Sequence, residues 1–191
     1  MNNTLLHICC APCSIACIRS LREEGIEPVG YWYNPNIHPY TEYRMRKDTL
    51  VAYAKEVNMR LEVNNAYALR PFIRAVYPDF ENRCRTCYRI RMDETARYAA
   101  EHGFESFTST LLISPYQNHE AIVQAAQEAA KAHGVTFMYR DFRPLSREGQ
   151  DMAREQELYR QKYCGCIFSE EERYRKQKVI VEESRTRIGQ K

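Results

Sequence analysis

Three tight groups of cysteine constrain this chain more than any other feature. Cys9-Cys10-Ala11-Pro12-Cys13, Cys84-Arg85-Thr86-Cys87 and Cys164-Gly165-Cys166 hold seven of its eight cysteines, and the eighth, Cys17, follows just after the first group. Groups so far apart in sequence can meet only through the fold. Clustered thiols that converge on one point are how a chain holds an iron-sulfur cluster or another soft metal. Any architecture for this sequence must therefore bring the three groups to one place.

Disulfide staples are not needed for stability, because 191 residues with 44% apolar content can bury a full core. No charged-then-apolar leader opens the chain and no run of 18 or more apolar residues occurs, so a cytoplasmic protein without membrane association is expected. In a reducing compartment such cysteines serve as metal ligands or redox-active thiols rather than structural disulfides. The net charge of +3 does not by itself identify a polyanion partner. Local clustering carries more: Arg83, Arg85, Arg89 and Arg91 surround the central pair, and Arg173 to Lys178 is basic with Tyr174 inside it. These patches fit either an RNA surface or solvated helix faces, and the 14 tyrosines supply rings for stacking on unpaired bases.

Apolar runs and turn signals alternate along the chain. Thr4 to Cys9, Pro28 to Tyr33, Arg60 to Val63, Phe104 to Ser109 and Val135 to Tyr139 are predicted strands. Helices are predicted over Cys13 to Glu24, Tyr40 to Asn58, Arg70 to Tyr77, Cys84 to His102, Ser114 to His133 and from Ser146 on, where a helix, a cysteine turn and a further helix follow. This alternation predicts an α/β fold with a parallel sheet flanked by helices. With no repeat or linker, the chain reads as one domain, residues 1–191, its helical C-terminal part starting at about residue 146.

Cys9 and Cys10 fall where the first strand gives way to the first helix, the place where open α/β sheets bind ligands. Both thiols reach one site only if the chain leaves strand geometry at Cys10, which Pro12 favours. The alternative packs Cys9 as a small hydrophobe and leaves Cys10 and Cys13 as a redox pair. Cys84 and Cys87, three apart at a helix start, share a face where the helix dipole and flanking arginines are expected to favour thiolate. Gly165 permits the sharp bend that lets Cys164 and Cys166 converge. Cys17 reads as core filler and His7 as a hydrogen-bonded core histidine, while spacing reveals no partner for His38 or His119. Cys9, Cys10, Cys84, Cys87, Cys164 and Cys166, with Cys13 as a seventh, outnumber the four thiolates that one cluster or one zinc ion uses. The surplus implies a second metal or a dithiol that reduces the substrate. No glycine-rich dinucleotide or P-loop motif occurs among the seven glycines. A zinc-bearing RNA-binding module and a thiol-disulfide oxidoreductase using Cys84-Cys87 or Cys9-Cys10 remain open readings.

Five ordered motifs carry a resemblance: His7 to Ser14, Tyr33 to Pro39, Cys84 to Arg91, Ser109 to Tyr116 and Tyr163 to Ser169. Together they resemble the cobalamin-independent epoxyqueuosine reductase family of QueH type. The resemblance implies reduction of epoxyqueuosine to queuosine at the wobble position of tRNA with a GUN anticodon. It implies a [4Fe-4S] cluster beside a single metal ion, iron, held by Cys9, Cys10, Cys13, Cys84, Cys87, Cys164 and Cys166, with Cys9, Cys10 and Cys13 catalytic. Electrons would come from a protein donor of ferredoxin or flavodoxin type. The implied fold is similar to the adenine-nucleotide α-hydrolase-like (HUP) fold, with Cys9 to Ser14 standing where nucleotide-binding relatives carry a glycine-rich loop. Tyr33, Asn34, Asn36, Tyr40, Arg85, Arg89, Ser114 and Tyr116 are the candidate substrate-binding residues. Some family members carry an aspartate, a harder ligand, where this sequence has Cys13.

Overall fold

A computed structural model of the chain describes residues 3–175. Five parallel strands form one sheet in the order β3-β2-β1-β4-β5: β1 Thr4–His7, β2 Val29–Trp32, β3 Leu61–Val63, β4 Ser106–Ser109 and β5 Thr136–Phe137. The central strand β1 pairs with β2 (Leu5 opposite Val29) and with β4 (Leu5 opposite Phe107), and all four of its residues are buried. Burial on both faces requires helices on both sides of the sheet, as expected for parallel strands joined by helical crossovers.

The crossovers are α1 Ala11–Glu23, α2 Tyr40–Glu56, α3 Leu69–Val76 with α4 Arg83–Glu101, and α5 His119–His133. Helix α1 has Pro12 in its first turn, where a missing N–H breaks no helical hydrogen bond. Helix α5 starts at His119 rather than at the expected Ser114. Residues Thr110–Ile113 instead form a 3₁₀ turn, and the Asn118 side chain caps α5 by accepting from the Ala121 N–H at 3.0 Å. Ala125, Ala126, Ala129 and Ala130 form its buried face, small enough for close packing on α4. Helix α6, Ser146–Glu155, lies against α1, where a Cβ on Gly149 would sit 3.2 Å from Ala16. A further helical stretch, 167–175, follows the third cysteine group. The basic residues Lys176 to Lys178 lie outside the described residues, as does the remainder of the C-terminal part.

The main core gathers Leu5, Leu6, Ile15, Trp32, Tyr43, Phe107 and Leu112, with Cys9 and Cys13 packed against it. A small second cluster joins Phe72, Val76 and Cys87, with Cys166 and Phe168 against it. The first cysteine group thus borders the main core, and the other two share the satellite. Sequence order reverses around β1, with β2 on one side and β4 on the other. The carboxyl ends of β1 and β4 therefore flank the switch point where sheets of this class bind ligands.

Candidate metal centre

Strand β1 ends at His7, two residues earlier than expected, because the following residues are held by contacts other than the sheet ladder. The Ile8 N–H still reaches the Tyr31 carbonyl at 2.9 Å, and the Asn34 side chain donates to the Ile8 carbonyl at 2.9 Å. The Cys9 N–H donates to the Thr110 hydroxyl oxygen at 3.1 Å, joining the end of β1 to the end of β4. Cys10 is still extended, with φ −172° and ψ 160°, and the helix begins at Ala11. Extended backbone at Cys10 followed at once by helix is what turns three thiols toward one point.

The sulfur atoms of Cys9, Cys10 and Cys13 all lie within 4.8 Å of one another, a spacing that can hold a metal ion. Cys10 is buried, Cys9 and Cys13 are half-buried, and all eight cysteines are free thiols. The Gln161 side-chain amide covers the group, its Nε2 donating to Cys10 Sγ at 3.1 Å. Hydrogen bonds from Cys10, Cys13 and Thr110 hold the Cys9 thiol well below its ordinary pKa. Burial pushes Cys10 up, and hydrogen bonding to Cys10 and Cys9 pushes Cys13 up. Cys17 is fully buried and donates to the Cys13 carbonyl, which makes it core filler as expected.

Cys84 and Cys87 lie in the first turns of α4, Cys84 exposed and Cys87 buried. The expectation that dipole and arginines would favour thiolate here is overturned. Burial pushes Cys87 up to about 12 and also raises Cys84, outweighing Arg91 and Arg83 respectively. The same cause raises Cys164 to about 11. Charge on Cys84, Cys164 or Cys166 would raise Cys87 further, yet among the described residues no three of these four sulfurs lie within 4.8 Å of one another, as those of Cys9, Cys10 and Cys13 do. Arg83 lies over the rings of Phe80 and Phe168 and pairs with Glu172.

The third group is gripped by residues distant in sequence. Arg46 of α2 donates to the Cys164 carbonyl at 2.9 Å and to the Tyr163 carbonyl at 3.0 Å, while Glu42 accepts from its Nε at 2.6 Å. From the 34–39 loop, the His38 N–H donates to the Gly165 carbonyl at 2.8 Å, and the Tyr163 hydroxyl donates to the His38 carbonyl at 2.6 Å. Gly165 has φ +148°, and a Cβ there would lie 3.2 Å from both Asn36 Nδ2 and Ile37 Cγ1. The angle favours glycine, and a side chain there would press on Asn36 and Ile37.

His7 is buried between the Ser109 hydroxyl (2.8 Å) and the Tyr33 carbonyl (3.1 Å), confirming it as a hydrogen-bonded core residue. Two partners that spacing did not reveal are now visible: His38 Nε2 donates to the Pro35 carbonyl at 3.1 Å, and His119 Nε2 meets the Tyr139 hydroxyl at 3.1 Å. Asn34 and Asn36 are buried, Tyr33 is half-buried, and Ser114 accepts from the Tyr116 N–H. Tyr40 and Tyr116 are exposed, the latter 95%. Arg85 and Arg89 are exposed and line a cavity of about 500 Å³ together with Asp79, Asn82 and Gln124; no cysteine lines it. Sequence reasoning missed Arg46, Glu42, Gln161 and the part played by Thr110. A buried i, i+4 acid–arginine pair was the one available local signal, and it is common on exposed helix faces as well.

Residues 4–172 match the protein-family profile described as "Epoxyqueuosine reductase QueH". A relative of that name from Dehalococcoides mccartyi is 40% identical over 172 residues, covering 90% of this chain and 94% of the relative. Another, from Thermotoga maritima, is 34% identical over 189 residues, covering 94% and 96%. Among solved structures, one described as a "predicted subunit of tRNA methyltransferase" from Methanocaldococcus jannaschii aligns with TM-score 0.50 at 11% identity, covering 81% of this chain and 89% of that one. At that identity the likeness concerns the fold alone.

Proposed function

The chain belongs to the epoxyqueuosine reductase QueH family, and we propose that it reduces the epoxide of epoxyqueuosine in the wobble nucleoside of tRNA to the alkene of queuosine. Two electrons and two protons are consumed, and the epoxide oxygen leaves as water. The observation that carries the reading is the meeting of Cys9, Cys10 and Cys13 within 4.8 Å at the carboxyl end of the central strand.

The donor set fits two metal groups. Three thiols at the end of β1 suit a single ion, iron. The four of Cys84, Cys87, Cys164 and Cys166 supply the number of thiolates a [4Fe-4S] cluster takes, and Cys87 and Cys166 share the satellite core. Such groups supply one-electron transfer and Lewis-acid polarisation when bound. The residues of the chain do the rest. The Thr110 hydroxyl donates to Cys9 Sγ and favours its charged form, Arg46 and His38 hold the third loop in place, and the Gln161 amide donates to Cys10 Sγ. Exposed Tyr40 and Tyr116 offer rings to unpaired anticodon bases, Arg85 and Arg89 offer charge to phosphates, and Tyr33, Asn34, Asn36 and Ser114 lie nearer the nucleoside. A protein of ferredoxin or flavodoxin type delivers the electrons, and residues 1–191 act as one domain.

Anaerobically reconstituted protein, given a reductant and tRNA containing epoxyqueuosine, is expected to yield a nucleoside lighter by one oxygen on mass analysis. An unchanged nucleoside mass overturns the assignment. A colourless protein holding stoichiometric zinc would instead support an RNA-binding module.

A further inference from the structure

Among the described residues two arginines are buried to 2% exposure, and their surroundings differ in kind. Arg46 is neutralised by Glu42 and hydrogen-bonded to two carbonyls of the third cysteine loop. Arg91 of α4 forms no salt bridge within the described residues. Its Nε donates to the Cys87 carbonyl at 3.3 Å, the Tyr88 ring lies 5.8 Å away, and its Nη2 is buried without an acceptor.

A buried cation without a counter-charge costs several kcal/mol. The charges and polar groups that face Arg91 are Cys87 and Cys84 of its own helix, Cys164 of the third group, Cys9 at the end of β1, His7 on β1 and the Tyr88 hydroxyl. All three cysteine groups are represented in that set, and no carboxylate is. Neutralising the guanidinium requires these sulfurs to carry charge as thiolates. Metal-bound thiolates would do so, since thiolate-ligated clusters carry net negative charge that grows on reduction.

Resting on the metal-centre reading above, we infer that Arg91 is the buried counter-charge of the thiolate centre, a positioning residue that favours the centre's reduced, more negative form. Its position among all three cysteine groups, with one N–H group unpartnered, is what assigns it this part.

The test uses the full chain and its Arg91→Gln and Arg91→Lys variants, reconstituted anaerobically with iron and sulfide. Iron per chain is measured alongside the midpoint potential from a redox titration followed by paramagnetic resonance. Arg91→Gln is expected to retain iron and to lower the midpoint potential by at least about 59 mV, a tenfold change for a one-electron couple. Arg91→Lys, which keeps the charge, is expected to shift it by less than half as much. An Arg91→Gln potential equal to that of the unaltered chain at equal iron content overturns the inference, as does a lysine shift as large as the glutamine one. If Arg91→Gln fails to fold, the lysine variant decides: iron held at a near-unaltered potential supports the inference, and a folded variant without iron overturns it. Absence of iron from the unaltered chain would overturn the metal-centre reading itself, and this inference with it.

Discussion

The first and third cysteine groups reach the site by different means. Cys9, Cys10 and Cys13 are brought together by ten residues of continuous chain: a strand from Thr4, an extended Cys10 and a helix opening at Ala11. Cys164 and Cys166 sit in a loop without regular structure, held by Arg46, Glu42, His38 and Tyr163 through hydrogen bonds that mostly span more than a hundred residues. One group is preformed by local backbone geometry. The other exists only as long as a buried ion pair and a neighbouring loop hold it. Loss of a distant side chain should therefore damage the third group far more than the first.

The strongest way to break that contrast is Arg46→Ala. It leaves Glu42 buried without its partner and frees the Cys164 and Tyr163 carbonyls, at an expected cost of about 3–5 kcal/mol in urea unfolding. A loss below about 1 kcal/mol would show that the loop is held by something else.

Acid should reproduce part of the same effect. Burial lowers His38 from 6.5 to about 4, so the folded protein keeps the ring neutral while the unfolded chain takes up a proton as pH falls. The His38 contribution to stability is thus fully present above pH 6.5 and is lost between there and about pH 4, by at most about 3 kcal/mol. His38→Gln retains a donor for the Pro35 carbonyl and does not titrate, so its urea midpoint should vary less across that window than that of the unaltered chain.

Smaller still is Gly165→Ala. It forces a residue with a Cβ into φ +148° against Asn36 and Ile37, at about 1–3 kcal/mol in the same assay, and should reduce iron retention after reconstitution. Thr110→Val sharpens the comparison from the other side, since it touches only the first group. Loss of its hydrogen bonds to Cys9 should cost about 1 kcal/mol. It should also raise the Cys9 pKa and slow alkylation of the metal-free protein at neutral pH, an effect absent if Thr110 does not stabilise the thiolate.

Much of the fold was legible in the order of residues. Short apolar runs alternating with helical periodicity gave the parallel α/β sheet, because strand and helix periods are read over a few residues. Boundaries were less legible. The α5 start moved from Ser114 to His119 because Asn118 is a better cap and Thr110–Ile113 is bound to the strand end. The thiol chemistry of the second pair also departed from expectation, since helix-dipole and arginine effects visible in sequence were outweighed by burial that only packing creates.

Sequence alone determined that this chain carries three sets of soft donors on an α/β frame, with the first set at a strand end, because donor identity and local periodicity are properties of neighbouring residues. Tertiary structure decided which thiols become neighbours, that Arg46 secures the third loop, and that Arg91 lies among all three groups with no salt bridge among the described residues. Those outcomes depend on side chains meeting across the sheet from helices far apart in sequence. Their energies come from desolvation and long-range pairing, for which a linear pattern has no counterpart.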